Sequence, residues 1–414
     1  MAASSEVAQR KLWALDALKP MAALLAASLA CCAAETAGQG ADCAASGIGS
    51  ARVASVAAWA MGNMLDGQWG GVQTCMAIEG FPEAVVQFLR HVGRAVPCGG
   101  RAGEAPTCGC AGCGGAACSH DGLARCAAEV AWLTGSLALA GSDTKHAQRL
   151  AVLGLTGACA GILTALASLP PSAARSSPLL APAARAFAAV MSRAAPTALG
   201  VLLCPPDAPP VLREGSRLAR LASEAGAGTR AAAALLALAA ADEAPPAEVV
   251  HAIAAVCGAP QGVGFQALLA THLPWAPTLL NLLDRAARRG CITGVRLASL
   301  AVANLLAGGS GGTGSQEALA AVLEAAGPAF VARSVALAIE AAPAQGEPTD
   351  DVADAPLHLA RLAVAAAGKQ AAADASVRAA LQEALACAAA AGEGARGPSP
   401  LLAALVQEVR AVLE

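Results

Sequence analysis

The apolar positions of this chain recur in a nine-residue frame. It reads Val56-Ala57-Ala58-Trp59-Ala60-Met61-Gly62-Asn63-Met64 and returns as Glu129-Val130-Ala131-Trp132-Leu133-Thr134-Gly135-Ser136-Leu137. It returns again as Ala298-Ser299-Leu300-Ala301-Val302-Ala303-Asn304-Leu305-Leu306. Slots four residues apart, Trp59/Asn63, Trp132/Ser136 and Leu300/Asn304, stack on one face of a helix. A second apolar pairing marks core-facing helices: Val85-Val86-Gln87-Phe88-Leu89, Leu279-Leu280-Asn281-Leu282-Leu283, Ile162-Leu163-Thr164-Ala165-Leu166 and, more weakly, Leu24-Leu25. The two landmarks keep a near-constant distance: 30 residues from Trp132 to Ile162, 30 from Leu300 to Phe330 and 26 from Trp59 to Val85. Self-similarity of this kind is the signature of a repeat architecture.

Turn residues divide each repeat into three helices. In the second repeat, Gly70 to Glu79 predicts a short helix, Pro82 to Val92 a medium one and Leu123 to Ala140 a long one. Gly80-Phe81-Pro82 makes the turn between the first two, with Pro82 suited to a helix N1 position. The fifth repeat follows the same plan over 264–272, 276–289 and 292–307, with a turn at Leu273-Pro274. Long third helices are expected near 51–66, 123–140, 183–195, 229–241, 292–307 and 355–368. The expected fold is all-α: an armadillo/HEAT-like α-solenoid of about six three-helix repeats over residues 1–373, closed by capping helices over 374–414. Gln382, Glu383, Gln407, Glu408 and Arg410 give that tail the polar face of an end cap. A Gly/Cys-rich insertion covers 93–121, a Gly/Ser linker 308–315 and an acidic, Pro-containing loop 343–354.

Composition agrees with helix. The 414 residues are 56% hydrophobic yet only 2% aromatic, without Tyr, so alanine carries the apolar fraction. Alanine is the best helix former and a poor strand former. Charge is sparse and balanced, with 27 basic and 30 acidic residues, and offers no basic stripe for nucleic acid. The densest basic spot, Arg285, Arg288 and Arg289 before Gly290, reads as a cationic helix C-terminus. Cys75, Cys159, Cys257 and Cys387 fall in apolar helices, where thiols behave as small hydrophobes, and a reducing cytoplasmic or nuclear compartment is expected. Leu150 to Ala174 is uncharged and long enough to span a bilayer. Its Gly154, Gly157 and Gly161, and the Pro170-Pro171 stop, predict two short helices around a turn instead, and no membrane partner is expected.

The core Trp59-Ala60-Met61-Gly62-Asn63, followed by Asp66-Gly67, resembles the third helix of the importin-alpha branch of armadillo proteins. Ala128-Glu129-Val130-Ala131-Trp132 resembles the same helix, and 80–89 resembles the second-helix motif of that family. The likeness covers 51–170 and 264–340. It implies that third helices line a groove for an extended peptide. Asn side chains would bond the peptide backbone, Trp faces would take the stems of Lys or Arg, and acids would meet the cationic heads. Carried over residue by residue, this points to Trp59, Asn63, Trp132 and Asn304, with Glu129 and Asp66 as acids. Residues 1–50 hold only Arg10, Lys11 and Lys19, and so lack the basic segment with which that family binds its import carrier. The resemblance therefore implies a divergent relative.

Other chemistry is thin. Cys108, Cys110, Cys113 and Cys118, with His120, offer four soft ligands and an imidazole of the kind zinc takes, in a spacing that matches no zinc motif; a biased insertion is the competing reading. No nucleotide loop, nucleophile elbow or paired-His site is present, and no enzyme activity or cofactor is expected. Two functions remain: a protein-binding adaptor for an extended segment, basic by the resemblance, or a structural scaffold in a larger assembly. Acids along the groove favour the first and an apolar face the second.

Overall fold

A computed structural model describes residues 17–36, 44–65, 69–95, 120–139, 144–205, 217–307, 313–327, 329–341, 352–371, 375–392 and 400–413. Among them every regular element is a helix, as alanine-rich apolar runs dictate. The chain divides into two compact units, residues 1–238 and 239–414.

The first unit holds α1 (Leu18–Thr36), α2 (Ala44–Leu65), α3 (Trp69–Ala77), α4 (Phe81–Ala95), α5 (His120–Leu139), α6 (Lys145–Leu153), α7 (Leu155–Ala167), α8 (Pro171–Ser176), α9 (Leu180–Arg193) and α10 (Pro196–Leu202). A 3₁₀ turn, Arg217–Glu224, follows, then α11 (Ala227–Ala241), within which the division falls. Two rows of helices build this unit. The long helices α2, α5 and α9 lie side by side, and α1, α4 and α7 form a second row against them. Between the rows Leu25, Met61, Phe88, Leu133, Ile162 and Phe187 are fully buried. Small side chains let the helices approach closely, and the many contacts offset the little area each one buries.

The second unit holds the rest of α11, then α12 (Ala247–Cys257), a short 3₁₀ turn, α13 (Val263–Leu269), α14 (Trp275–Arg288), α15 (Ile292–Ala307), α16 (Thr313–Ala326), α17 (Ala329–Glu340), α18 (Ala355–Ala371), α19 (Ala375–Gly392) and α20 (Pro400–Leu413). Here α12, α15, α18 and α20 follow one another in contact, with α14 on α15 and α17 on α18 and α19. Val335, Val364, Leu381, Leu405 and Val409 share one core cluster, so the last two helices are packed into the same unit as 239–373.

Helix lengths follow the short–medium–long plan where the sequence landmarks are clearest. α3, α4 and α5 run 9, 15 and 20 residues, and α13, α14 and α15 run 7, 14 and 16. Boundaries shift by a few residues at several helices, and three differences matter most. α2 begins at Ala44 rather than 51, because Gly47 and Gly49 are accommodated inside it. The expected insertion is shorter, since α4 continues to Ala95 and α5 already starts at His120. Thr313 to Ser315 open α16 and are not linker.

The 150–174 run bends by 63° between α6 and α7, as its glycines predict, and no single helix among the described residues is long and apolar enough to cross a membrane. Gly154 makes the bend at φ 95°, a left-handed conformation that disfavours a side chain. Arg90 and Glu224 lock it. The Arg90 guanidinium donates to the Leu153 carbonyl at 3.2 Å and pairs with Glu224 Oε1 at 3.0 Å. Glu224 Oε2 accepts the Gly157 N–H at 2.8 Å, satisfying a donor in the first turn of α7 that has no partner within the helix.

Other arginines close helix ends in the same way. Arg149 reaches the Met76 carbonyl at the end of α3, and Arg296 reaches Ala341 after α17 at 3.2 Å. Arg285 donates to the carbonyls of Ala239 and Asp242, both at 2.6 Å, at the end of α11, while Arg289 pairs with Glu243. The basic spot thus serves helix ends. Arg285→Met should lower unfolding stability by about 2 kcal/mol, since hydrogen bonds to charged groups are worth about 1.5–3 kcal/mol. Arg288→Met, whose guanidinium bonds only within its own helix, should change it by less than about 0.5 kcal/mol. Equal urea midpoints for the two variants would contradict this use of Arg285.

Cys31, Cys75, Cys126, Cys159, Cys204, Cys257 and Cys291 form no disulfide. Burial pushes Cys75, Cys126, Cys159 and Cys257 up from the usual 9.0 to about 12. A raised folded-state value makes stability constant below the ordinary value and erodes it as pH climbs toward the folded one. The fold should therefore weaken above pH 9.0, where the unfolded thiols ionise first. At neutral pH iodoacetamide should label the exposed Cys31 and Cys291 and spare these four until denaturant is added, as mass spectrometry of digests will show.

Candidate protein-binding face

The recurring frame places its slots on α2 and α5, adjacent in the first unit. On α2, Arg52, Val53, Val56, Trp59 and Asn63 recur at spacings of one, three and four and stay uncovered or half-buried. Val53 is 41%, Val56 60% and Trp59 40% exposed. Half of the exposed large apolar side chains among the described residues lie in this one stripe, which is more than scattered surface exposure produces. On α5 the open line is Arg125, Glu129 and Trp132, again at four and three. On α9, Arg185 leans onto that line, its guanidinium carbon 5.8 Å from the centre of the Trp132 ring.

Trp132 is half-buried because α2 receives it. Gly62 has no side chain, and a Cβ there would stand 2.0 Å from Trp132 Cζ3 and 2.5 Å from Cε3. The same slot on α5 is Gly135, where a Cβ would come 3.4 Å from Ala186 Cα on α9. The small residue three places after each Trp is thus where the next long helix comes in. It sits inside the frame and is readable as a packing signal. Arg90, Arg185 and Glu224 are not, because what recruits them is a neighbour distant in sequence.

The other sequence-expected residues are placed less favourably for a ladder of peptide contacts. Asn63 donates its amide to the Trp59 carbonyl in its own helix at 2.8 Å. Ser136 is turned inward, with its hydroxyl buried and unpartnered. Asn304 lies in the second unit and donates to the Ala254 carbonyl at 3.1 Å, tying α15 to α12. Glu129 is half-buried, and burial raises its carboxyl pKa. Trp275 is a core residue, edge-on to Phe265 with ring centres 5.5 Å apart. Asp66 and the cysteines Cys108, Cys110, Cys113 and Cys118 lie outside the described residues. Among those described, no group of His, Cys, Asp and Glu is arranged to hold a metal.

The second unit contains an open cleft of about 700 Å³ between α14 and α17. Pro277, Leu280, Ala329 and Phe330 form its apolar wall, and Asp284 and Arg333 pair across it at 2.6 Å. Their charges neutralise each other there, and the cleft gathers no nucleophile with a base.

No family model and no curated protein matches the chain. Among solved structures it is similar to two engineered proteins determined by the Northeast Structural Genomics Consortium. One aligns over 70% of this chain and 91% of its own at 16% identity with a TM-score of 0.43. The other aligns over 88% and 95% at 15% identity with a TM-score of 0.26. Likeness at these scores assigns neither a family nor an activity, and the functional reading rests on the geometry of the face.

Proposed function

We propose that this chain is a divergent armadillo-like helical-repeat protein of the cytoplasm or nucleus, a non-enzymatic adaptor that holds an extended segment of a partner protein along α2 and α5. The observation that carries this reading is the Val53–Val56–Trp59 stripe, exposed on a helix that is packed on its other side over 51–65. An apolar face alone favours a scaffold, and the polar Arg52 and Asn63 on the same open side are what favour an adaptor. An apolar stripe beside half-buried polar groups is the usual make-up of a binding surface. The helix triplets of constant plan support the repeat architecture.

Peptide display against the folded protein tests it. Selected peptides should bind saturably and lose about tenfold or more on Val56→Asp or Trp59→Ser, changes that leave an exposed face folded. No selected peptide, or peptides that bind both variants like wild type, would refute the adaptor reading. The scaffold reading has its own support: the Trp132 ring and the Asn304 amide already serve contacts between helices. It predicts the second outcome.

A further inference from the structure

We propose that the face formed by α2, α5 and α9 receives an extended acidic segment, one that mixes carboxylates with apolar side chains. This rests on the adaptor reading and names its ligand. Charge carries it. Among the side chains described on the face, the charged ones are Arg52, Arg125, Arg185 and Glu129. Among the described residues, none of these three arginines has an ion-pair partner. Of the arginines elsewhere, Arg90, Arg149, Arg289, Arg333 and Arg361 are paired, while Arg285 and Arg288 bond backbone carbonyls instead. The whole chain has more acids than bases, so three arginines and one carboxylate among the described side chains of this face are a local excess of positive charge.

Arg185 is held for the task. Its stem passes the bare Cα of Gly135, where a Cβ would lie 3.6 Å from Arg185 Cγ, and its guanidinium stands over the Trp132 ring with its carbon 5.8 Å from the centre. A guanidinium fixed on an aromatic ring loses little freedom when it binds a carboxylate, and it offers a planar fork that matches one. The same placement argues against a basic segment, because a cation already stands beside that ring. Val53, Val56 and Trp59 supply the apolar part. The dimensions fit: neighbouring helices pack about 8–10 Å apart and an extended chain advances about 3.3 Å per residue, so about three residues pass each helix.

Fluorescence anisotropy with two synthetic probes decides it. One is an extended peptide of about twelve residues mixing Glu and Asp with Leu, and the other carries Lys in place of every acid. The acidic probe should bind about tenfold or more tighter than the lysine probe, and salt should weaken it. Arg185→Gln and Arg125→Gln should each weaken it about three- to tenfold, Arg185→Glu more, while Arg288→Gln in the second unit leaves it unchanged. Arg125 is exposed, so its variant folds, and circular dichroism verifies this. A lysine probe that binds as tightly or more tightly overturns the acidic proposal and leaves the adaptor reading standing. Failure of both probes, together with failure of display selection, overturns both.

Discussion

Glu224→Ala should lower the unfolding free energy by about 3 kcal/mol, the largest loss expected for any single charge among the described residues. The side chain is only 6% exposed, and its two oxygens serve different partners: Arg90 at 3.0 Å and the Gly157 N–H at 2.8 Å. Alanine leaves the Gly157 N–H without an acceptor and Arg90 with only the Leu153 carbonyl. Breaking a buried pair costs about 3–5 kcal/mol, and the lower end applies because Arg90 is 37% exposed and water takes over part of its solvation. Glu224→Gln keeps a neutral acceptor for Gly157 and should cost about half as much. Glu83→Ala is the control. Its pair with Arg149 is 37% and 43% exposed, and loss of such a surface pair is worth at most about 1 kcal/mol. Urea titrations in which Glu224→Ala and Glu83→Ala unfold together would show that the bend between α6 and α7 is held by something else.

Gly62→Ala should be the most costly conservative change on the candidate face. In an ordinary helix, glycine to alanine is favourable by about 1 kcal/mol. Here the new methyl would meet the Trp132 ring at 2.0 Å, and α2 and α5 would have to part or the indole rotate away. Overpacking of this kind costs about 1–3 kcal/mol. The decisive comparison is a double-mutant cycle with Trp132→Leu. Gly62→Ala should destabilise wild type by about 2 kcal/mol, yet be neutral or stabilising in the Trp132→Leu background, where the ring is gone. The same result in both backgrounds would remove the contact from the account.

Much of the helical pattern is legible in the sequence because it depends on local properties. The frame around Trp59, Trp132 and Leu300 marks α2, α5 and α15, and the Gly and Pro turns separate the triplets at 69–139 and 263–307. The break in the 150–174 run is legible too, since Gly154 can take a left-handed φ that other residues resist. The site is less legible. Spacing shows that Trp59 and Asn63 share a helix face, but it does not say what lies beside that face. Arg185 decides part of the surroundings of Trp132, and it reaches the ring only through helix packing. Asn304 matches the motif as well as Asn63 does, yet its amide is engaged by Ala254 on α12, a residue no local pattern connects to it.

The most direct test of the claim that a partner sits on α2 and α5 is photo-crosslinking from this surface. A photoreactive residue is placed at position 56 in one sample and at position 269 in another. Both sites are exposed apolar positions, one on the candidate face and one on α13 of the second unit. With a peptide obtained by display, the account predicts an adduct from position 56 that disappears when Trp59 is replaced by Ser, and none from position 269. An adduct from 269 equal to that from 56, or none from 56 while the peptide is bound, would contradict it.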